Sequence, residues 1–98
     1  MNKFSTGILT RPTDATKLVI SYKNNTARLR FRSIYIYNWD SKSPILFHSN
    51  NHFIVPNGTC IVEIPLISSD YGENCSVTDY EVIYEPVDQD ILIKLSIE

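Results

Sequence analysis

At 98 residues, with 43% hydrophobic and 20% charged side chains, the chain has the size and balance of one globular domain, not of a disordered segment. A formal net charge of −2 argues against a nucleic-acid or anionic-membrane surface, and no run reaches the roughly 20 apolar residues of a membrane-spanning helix. The opening residues hold no apolar core of about 7–15 residues, so ordinary signal-peptide secretion is not expected.

Residues 1–15 (MNKFSTGILTRPTDA) read as an extended arm. Gly7 and Pro12 oppose a helix, and Phe4, Ile8 and Leu9 supply a little apolar surface. Three readings stand for this segment: a frayed tail, a first strand of the chain's own sheet, or an arm that docks on a neighbouring subunit. Residues 16–22 (TKLVISY) alternate, with Leu18, Ile20 and Tyr22 on one face. A turn follows at residues 23–26. Residues 27–38 form a longer strand with a defect. Leu29 and Phe31 are expected to face in, and Arg28, Arg30 and Arg32 out. Ile34 and Ile36 then fall on the arginine parity, and a bulge near Arg32-Ser33 is the economical repair.

Residues 44–49 and 52–55 are expected to make a hairpin about Asn50-Asn51, because Asn tolerates the positive φ of primed turns. Pro56-Asn57-Gly58 is a further tight turn. Beyond it, Cys60, Val62, Ile64 and Leu66 face inward, Glu63 faces outward, and Pro65 confines the strand to an edge. Residues 68–76 are the longest polar loop. Residues 77–84 and 91–97 are the last two strands, with Ile91, Ile93, Leu95 and Ile97 on one face. The pattern predicts an all-β fold: a single jelly roll or related β-sandwich of about eight antiparallel strands over residues 16–98, preceded by the arm at 1–15.

No constellation carries chemistry as clear as this architecture. His48 and His52 flank the Asn50-Asn51 turn and lack a third metal ligand, so they read as exposed, and no metal is expected. Cys60 and Cys75 would close a loop of roughly 15 residues, a span worth on the order of 3 kcal/mol. Cys60 has core parity and Cys75 sits in the polar loop, so an internal disulfide, an intersubunit one and free thiols all stay open. Arg28, Arg30 and Arg32 form a basic row, either a solvated face or a grip on an acidic partner. Tyr22, Tyr35, Tyr37, Trp39, Tyr71, Tyr80 and Tyr84 supply either a core or a sugar-binding platform. There is no catalytic pair, no base for a cysteine nucleophile and no phosphate loop, so the chain reads as a non-enzyme with no cofactor.

The segment Ile36-Tyr37-Asn38-Trp39-Asp40, the following Pro44-Ile45-Leu46, the turn Val55-Pro56-Asn57-Gly58-Thr59, the strand Asp79-Tyr80-Glu81-Val82 and the terminal Ile91-Leu92-Ile93 resemble a known family. It is that of the small jelly-roll subunits of endospore appendages, the pilus-like fibres on spores of Bacillus-type bacteria. The resemblance spans about two thirds of the chain. It implies a structural subunit that stacks head-to-tail with its own copies, its N-terminal connector reaching a neighbour by strand addition. The connector would be residues 1–15, with Phe4, Ile8 and Leu9 as docking side chains. It also implies a spore-surface (exosporium) location, with collagen-like glycoproteins or an exosporium anchor as further partners, and no nucleic acid or membrane. Such a subunit is deposited from the mother cell, which agrees with the missing signal peptide. Better-known appendage subunits carry connector cysteines, whereas this chain has none before Cys60. Docking by hydrogen bonds and apolar pockets is therefore expected in place of covalent stapling. A carbohydrate-binding module is the alternative reading, and a viral or phage structural jelly roll a third.

Overall fold

The computed structural model describes residues 3–68, 75–87 and 89–98, apart from the side chains of Ser68 and Cys75. The described residues are strands and turns with no helix. Seven principal strands are β1 (Phe4–Thr10), β2 (Lys17–Asn24), β3 (Arg30–Asn38), β4 (Ile45–Ile54), β5 (Thr59–Pro65), β8 (Asp79–Glu85) and β9 (Ile91–Ile97). A two-stranded ribbon, β6 (Ile67–Ser68) and β7 (Cys75–Ser76), joins β5 to β8. One sheet has the order β1-β8-β3-β4 and the other β5-β2-β9, with every pairing antiparallel.

The core lies between the two sheets. Period-2 alternation in β2 sends Leu18, Ile20 and Tyr22 inward from the central strand of one sheet, while Val19 is buried on the other face. They meet Ile34 and Ile36 of β3, Ile54 of β4 and Tyr80 and Val82 of β8 from the other. Ile64, Leu66 and Ile91 close the apolar part. β5 ends at Pro65, on an edge, because proline has no ladder donor to give a second neighbour. The turn at Pro56-Asn57 has Gly58 N–H donating to the Val55 carbonyl at 3.0 Å and Asn57 at φ 56°. Proline followed by a left-handed asparagine is the type II signature that the sequence carries there.

Two expectations are corrected. The phase of β3 is the reverse of the expected one: Arg32 is 2% exposed and shares the interior with Ile34 and Ile36, while Leu29 and Phe31 are exposed. No bulge occurs at Arg32-Ser33. The ladder to β4 runs in register from Arg30↔Ile54 to Ile36↔His48 and shifts only between Ile36 and Tyr37. Burying Ile34 and Ile36 is worth about 1.5–3 kcal/mol each, and they sit at the middle of the sandwich, whereas Leu29 and Phe31 lie at its margin. Phe31 instead covers part of its surface against Phe53 across the strand, at 6.1 Å between ring centres.

The second correction concerns Asn50-Asn51, which is no turn. β4 runs unbroken through it, with Asn50 opposite Ile34 and Asn51 opposite Ser33. A reversal there would strip the ladder partners from the first half of β3, and unpaired backbone groups cost more than local turn preference returns.

Candidate functional site

β1 is the segment on which the docking expectation rests. It forms the edge of the four-stranded sheet and pairs only with β8 of its own chain. The register is Phe4↔Tyr84 and Ser5↔Ile83, then a shift, then Ile8↔Glu81, Leu9↔Tyr80 and Thr10↔Asp79. The shift is a bulge at Thr6-Gly7, where Gly7 adopts φ +71°. Thr6 Oγ1 accepts from Val82 N–H at 3.1 Å, and Ser5 Oγ donates to Glu81 Oε2. The extra residue changes parity, so Phe4 and Leu9 both face inward. Phe4 stacks on Tyr84 at 4.9 Å, and Leu9 packs against the core. Ile8 points away and is 56% exposed. Of the three expected docking side chains, Leu9 is packed on the core, Phe4 is stacked on Tyr84 yet 42% exposed, and Ile8 is exposed.

β1 is moored at its C-terminal end. Arg11 N–H donates to Thr78 O at 2.7 Å, and its guanidinium donates to Val77 O and Ala15 O, each at 2.8 Å. Beside this mooring a cleft of about 290 Å³ opens between β1 and β9, lined by Leu9, Pro12, Leu18, Tyr80, Leu95 and Ile97.

The four sheet edges differ in how they resist another strand. β1 is short and bulged. β5 carries Pro65 and Glu63, whose carboxylate accepts from Lys17 Nζ at 2.9 Å. β9 carries Lys94. β4 is ten residues long and contains neither a proline nor an Asp, Glu, Lys or Arg.

The interior has a polar end that sequence reading missed. Tyr22 Oη and His52 Nδ1 lie 2.9 Å apart, with the rings edge to face at 5.5 Å. Burial pushes the Tyr22 phenol well up, with smaller contributions from Cys60 and Tyr84 opposed by Arg32, so it stays protonated. Burial, then the neighbouring His48, pushes His52 below its ordinary value, so it stays neutral. Phenol O–H donating to Nδ1 fits both. Arg32 lies opposite His52 in the ladder and donates to Phe31 O at 2.8 Å.

Asn24, fully buried, completes this end. Its amide donates to Arg28 O, Ile54 O and Val55 O at 2.7, 3.0 and 3.2 Å, and its Oδ1 accepts from Thr26 N–H and Thr26 Oγ1. One side chain thus ties the β2 end to the start of β3 and the end of β4. The Asn-Asn-Thr sequence signals a side-chain turn but not its burial.

The remaining expected residues are scattered. His48 and His52 share one face of β4 rather than flanking a turn, and four residues of strand span about 13 Å. His52 is buried instead of exposed. Among the described residues no three His, Cys, Asp or Glu side chains gather as a metal site. The arginine row is broken up: Arg28 is exposed, Arg30 pairs with Asp90 at 2.7 Å, and Arg32 is buried. Cys60 carries a free, half-buried thiol; the side chain of Cys75, and with it any pairing, lies outside the described residues.

Tyr22 and Tyr80 belong to the core. Tyr35, Tyr37 and Trp39 are half-buried along β3 and just after it, with Trp39 Nε1 donating to Glu81 at 3.0 Å and Tyr35 to Glu85 at 3.2 Å. Tyr71 lies outside the described residues.

No known family model, no curated protein and no solved structure matches this chain.

Proposed function

We propose that this chain is a non-enzymatic structural subunit that assembles head-to-tail into a spore-surface fibre of the endospore-appendage type, its N-terminal arm docking on a neighbouring subunit. The observation that carries this reading is β1. It is an edge strand with one neighbour, and its inward residues Phe4 and Leu9 rest on β8 and the core. If β1 leaves its own β8 and enters the same groove of the next copy, every ladder bond and the Phe4–Tyr84 stack re-form between chains. Such an exchange is nearly neutral in contacts, so modest additional contacts decide it. Repeated without closure, it grows a filament. Further partners in this reading are collagen-like spore-surface glycoproteins or an exosporium anchor.

The strand order supports the finer fold reading that accompanies this function. The eight strands of a jelly roll, lettered B to I, lie in sheets of order CHEF and BIDG. Taking β1 as C, the order β1-β8-β3-β4 corresponds to CHEF and β9-β2-β5 to IDG. Among the described residues no strand takes the place of B, beside β9 and next to the cleft between β1 and β9.

The carbohydrate-binding reading draws on Tyr35, Tyr37 and Trp39 near Glu81 and Glu85. Two of these aromatics already spend their polar atoms on the carboxylates, which leaves less to offer a sugar.

A reversible staple tests the fibre. Thr10 and Asp79 are ladder partners. Thr10→Cys with Asp79→Cys, in a chain whose Cys60 and Cys75 are replaced by Ser, is oxidised while dilute and monomeric. The expected result under the electron microscope is no fibres until reductant frees β1, and fibres afterwards. A freed or unmodified full chain that stays monomeric at high concentration overturns the proposal.

A further inference from the structure

We infer that the open edge of β4 is a homotypic interface: β4 pairs antiparallel with β4 of a second copy, about a two-fold axis through Asn50, joining two four-stranded sheets into one of eight strands. This contact is separate from β1 exchange, which occupies the opposite edge of the same sheet.

The first support is charge. Edge strands of soluble proteins are ordinarily blunted by lysine, proline, bulges or brevity. β1, β5 and β9 each carry such a device, whereas β4, the longest strand, is blunted only by the shift near Phe47. Neutrality matters most when a strand meets its own copy, because near the axis any charge would face a charge of the same sign.

The second support is the sequence itself. Phe47-His48-Ser49-Asn50-Asn51-His52-Phe53 reads nearly the same in both directions about Asn50. In the antiparallel pair Phe47 meets Phe53, His48 meets His52, Ser49 meets Asn51 and Asn50 meets itself. Each patch is then its own complement, as a two-fold interface requires.

The third support is the backbone. Asn51 N–H is taken up by Asn50 Oδ1 at 2.8 Å. This marks Asn51, and by alternation Ser49 and Phe53, as positions whose backbone groups face the open side. Asn50 on the axis is then a non-hydrogen-bonded pair, flanked by Ser49–Asn51 pairs that become hydrogen-bonded once Asn51 N–H exchanges Asn50 Oδ1 for the partner strand's carbonyl. Phe53 is 62% exposed and rests against exposed Phe31, an apolar strip on that face of the sheet. The added strand covers part of that strip.

Cross-linking tests the register in the full chain. Asn50→Cys places two thiols about 4.5 Å apart at Cα across the axis, inside disulfide range. Mild oxidation is expected to give a dimer whose linked peptide, read by mass spectrometry, joins residue 50 to residue 50. Its yield should exceed at least ten-fold that of Phe53→Cys, whose copies lie far apart in this register. Ser49→Pro, which removes an open-side donor that the β3 ladder does not use, and Asn50→Lys, which sets like charges on the axis, should each leave a folded monomer by circular dichroism and light scattering. Equal yields from the two cysteines, or dimers that persist in both blocking variants, overturn the inference. Fibres that form with no 50–50 link overturn it while leaving β1 exchange standing, and 50–50 dimers that never grow into fibres do the reverse.

Discussion

β1 and β2 follow one another in the chain and end in opposite circumstances. β2 is the centre of its sheet, laddered to β5 on one side and β9 on the other, and its inward side chains are sealed from solvent. β1 has one neighbour and a bulge, and Phe4 and Ile8 remain exposed. Both strands are mixtures of apolar and small polar residues. Their difference comes from position: a central strand is committed by two ladders and a core face, and an edge strand by one ladder and two side chains. What is lightly committed can be exchanged without unfolding the remainder.

The largest expected effect lies in β2. Ile20 is fully buried at the centre of the core. Ile20→Ala should cost about 2–5 kcal/mol in urea unfolding, whereas Leu9→Ala, at a half-buried site on β1, should cost well under half of the Ile20 value. Equal losses would mean that β1 is as integral as β2, and exchange would become expensive.

Asn24, at the end of β2, comes next. Asn24→Ala strips partners from three carbonyls and the Thr26 amide, an expected loss of about 1–3 kcal/mol by urea unfolding. Asn24→Asp should cost more at neutral pH, because a carboxylate would face those carbonyl oxygens with no donor. If the aspartate were tolerated, the amide would not be the tie described here.

His52, buried, and His48, half-buried, give a pH dependence. Burial holds both His48 and His52 below the ordinary value of 6.5. The unfolded chain takes up protons near pH 6.5 and the folded chain only at lower pH, so between these points the unfolded state binds more protons. Their contribution is complete above about pH 6.5 and is lost as pH falls below it. Urea midpoints measured from pH 8 to 5 should decline below about 6.5, and His52→Gln should flatten the decline. Because His52 bonds to Tyr22, the acid effect should appear in the β2 amides in hydrogen exchange, which still exchange more slowly than those of β1 at every pH.

The sequence made β2 and β9 legible because each places its apolar residues at every second position facing the core. The all-β class and the Pro56-Asn57 turn were legible for equally local reasons. The β3 phase was not, because Arg32 is buried opposite His52 of another strand, which no window around residue 32 contains. The unbroken β4 was hidden by the Asn50-Asn51 signal, a local preference overruled by pairing with β3. In β1 the isolated Gly7 is a fair sign of a bulge. Without that bulge, Phe4 and Ile8 share a parity and Leu9 opposes them; with it, Phe4 and Leu9 are the pair. Composition singled out the three apolar residues of the segment, and which of them face inward was set by one glycine.

That glycine gives a smaller prediction. At φ +71° an L-residue carries a strain of about 1–2 kcal/mol, and no atom lies within 4 Å of the added Cβ, so the cost of Gly7→Ala is backbone strain alone. It should accelerate hydrogen exchange of the Ile8, Leu9 and Thr10 amides while leaving β2 unchanged. If β1 is exchanged between copies as proposed, the strain is the same in the closed and exchanged forms, and fibre yield should change little once assembly has reached equilibrium.

The smallest effect on stability is expected at Ile8, and it separates two versions of the arm. Ile8→Ser alters an exposed side chain opposite Glu81 and should shift the urea midpoint by no more than about 0.5 kcal/mol equivalent. If a neighbour's arm enters the same β8 groove, Ile8 still points outward and fibre assembly should be indifferent to serine. If the arm instead docks on a new surface through all three apolar residues, Ile8→Ser should weaken assembly as much as Phe4→Ser does. Fibre mass by sedimentation, compared between the two variants, tells strand exchange from surface docking even though neither variant need be much less stable than the parent chain.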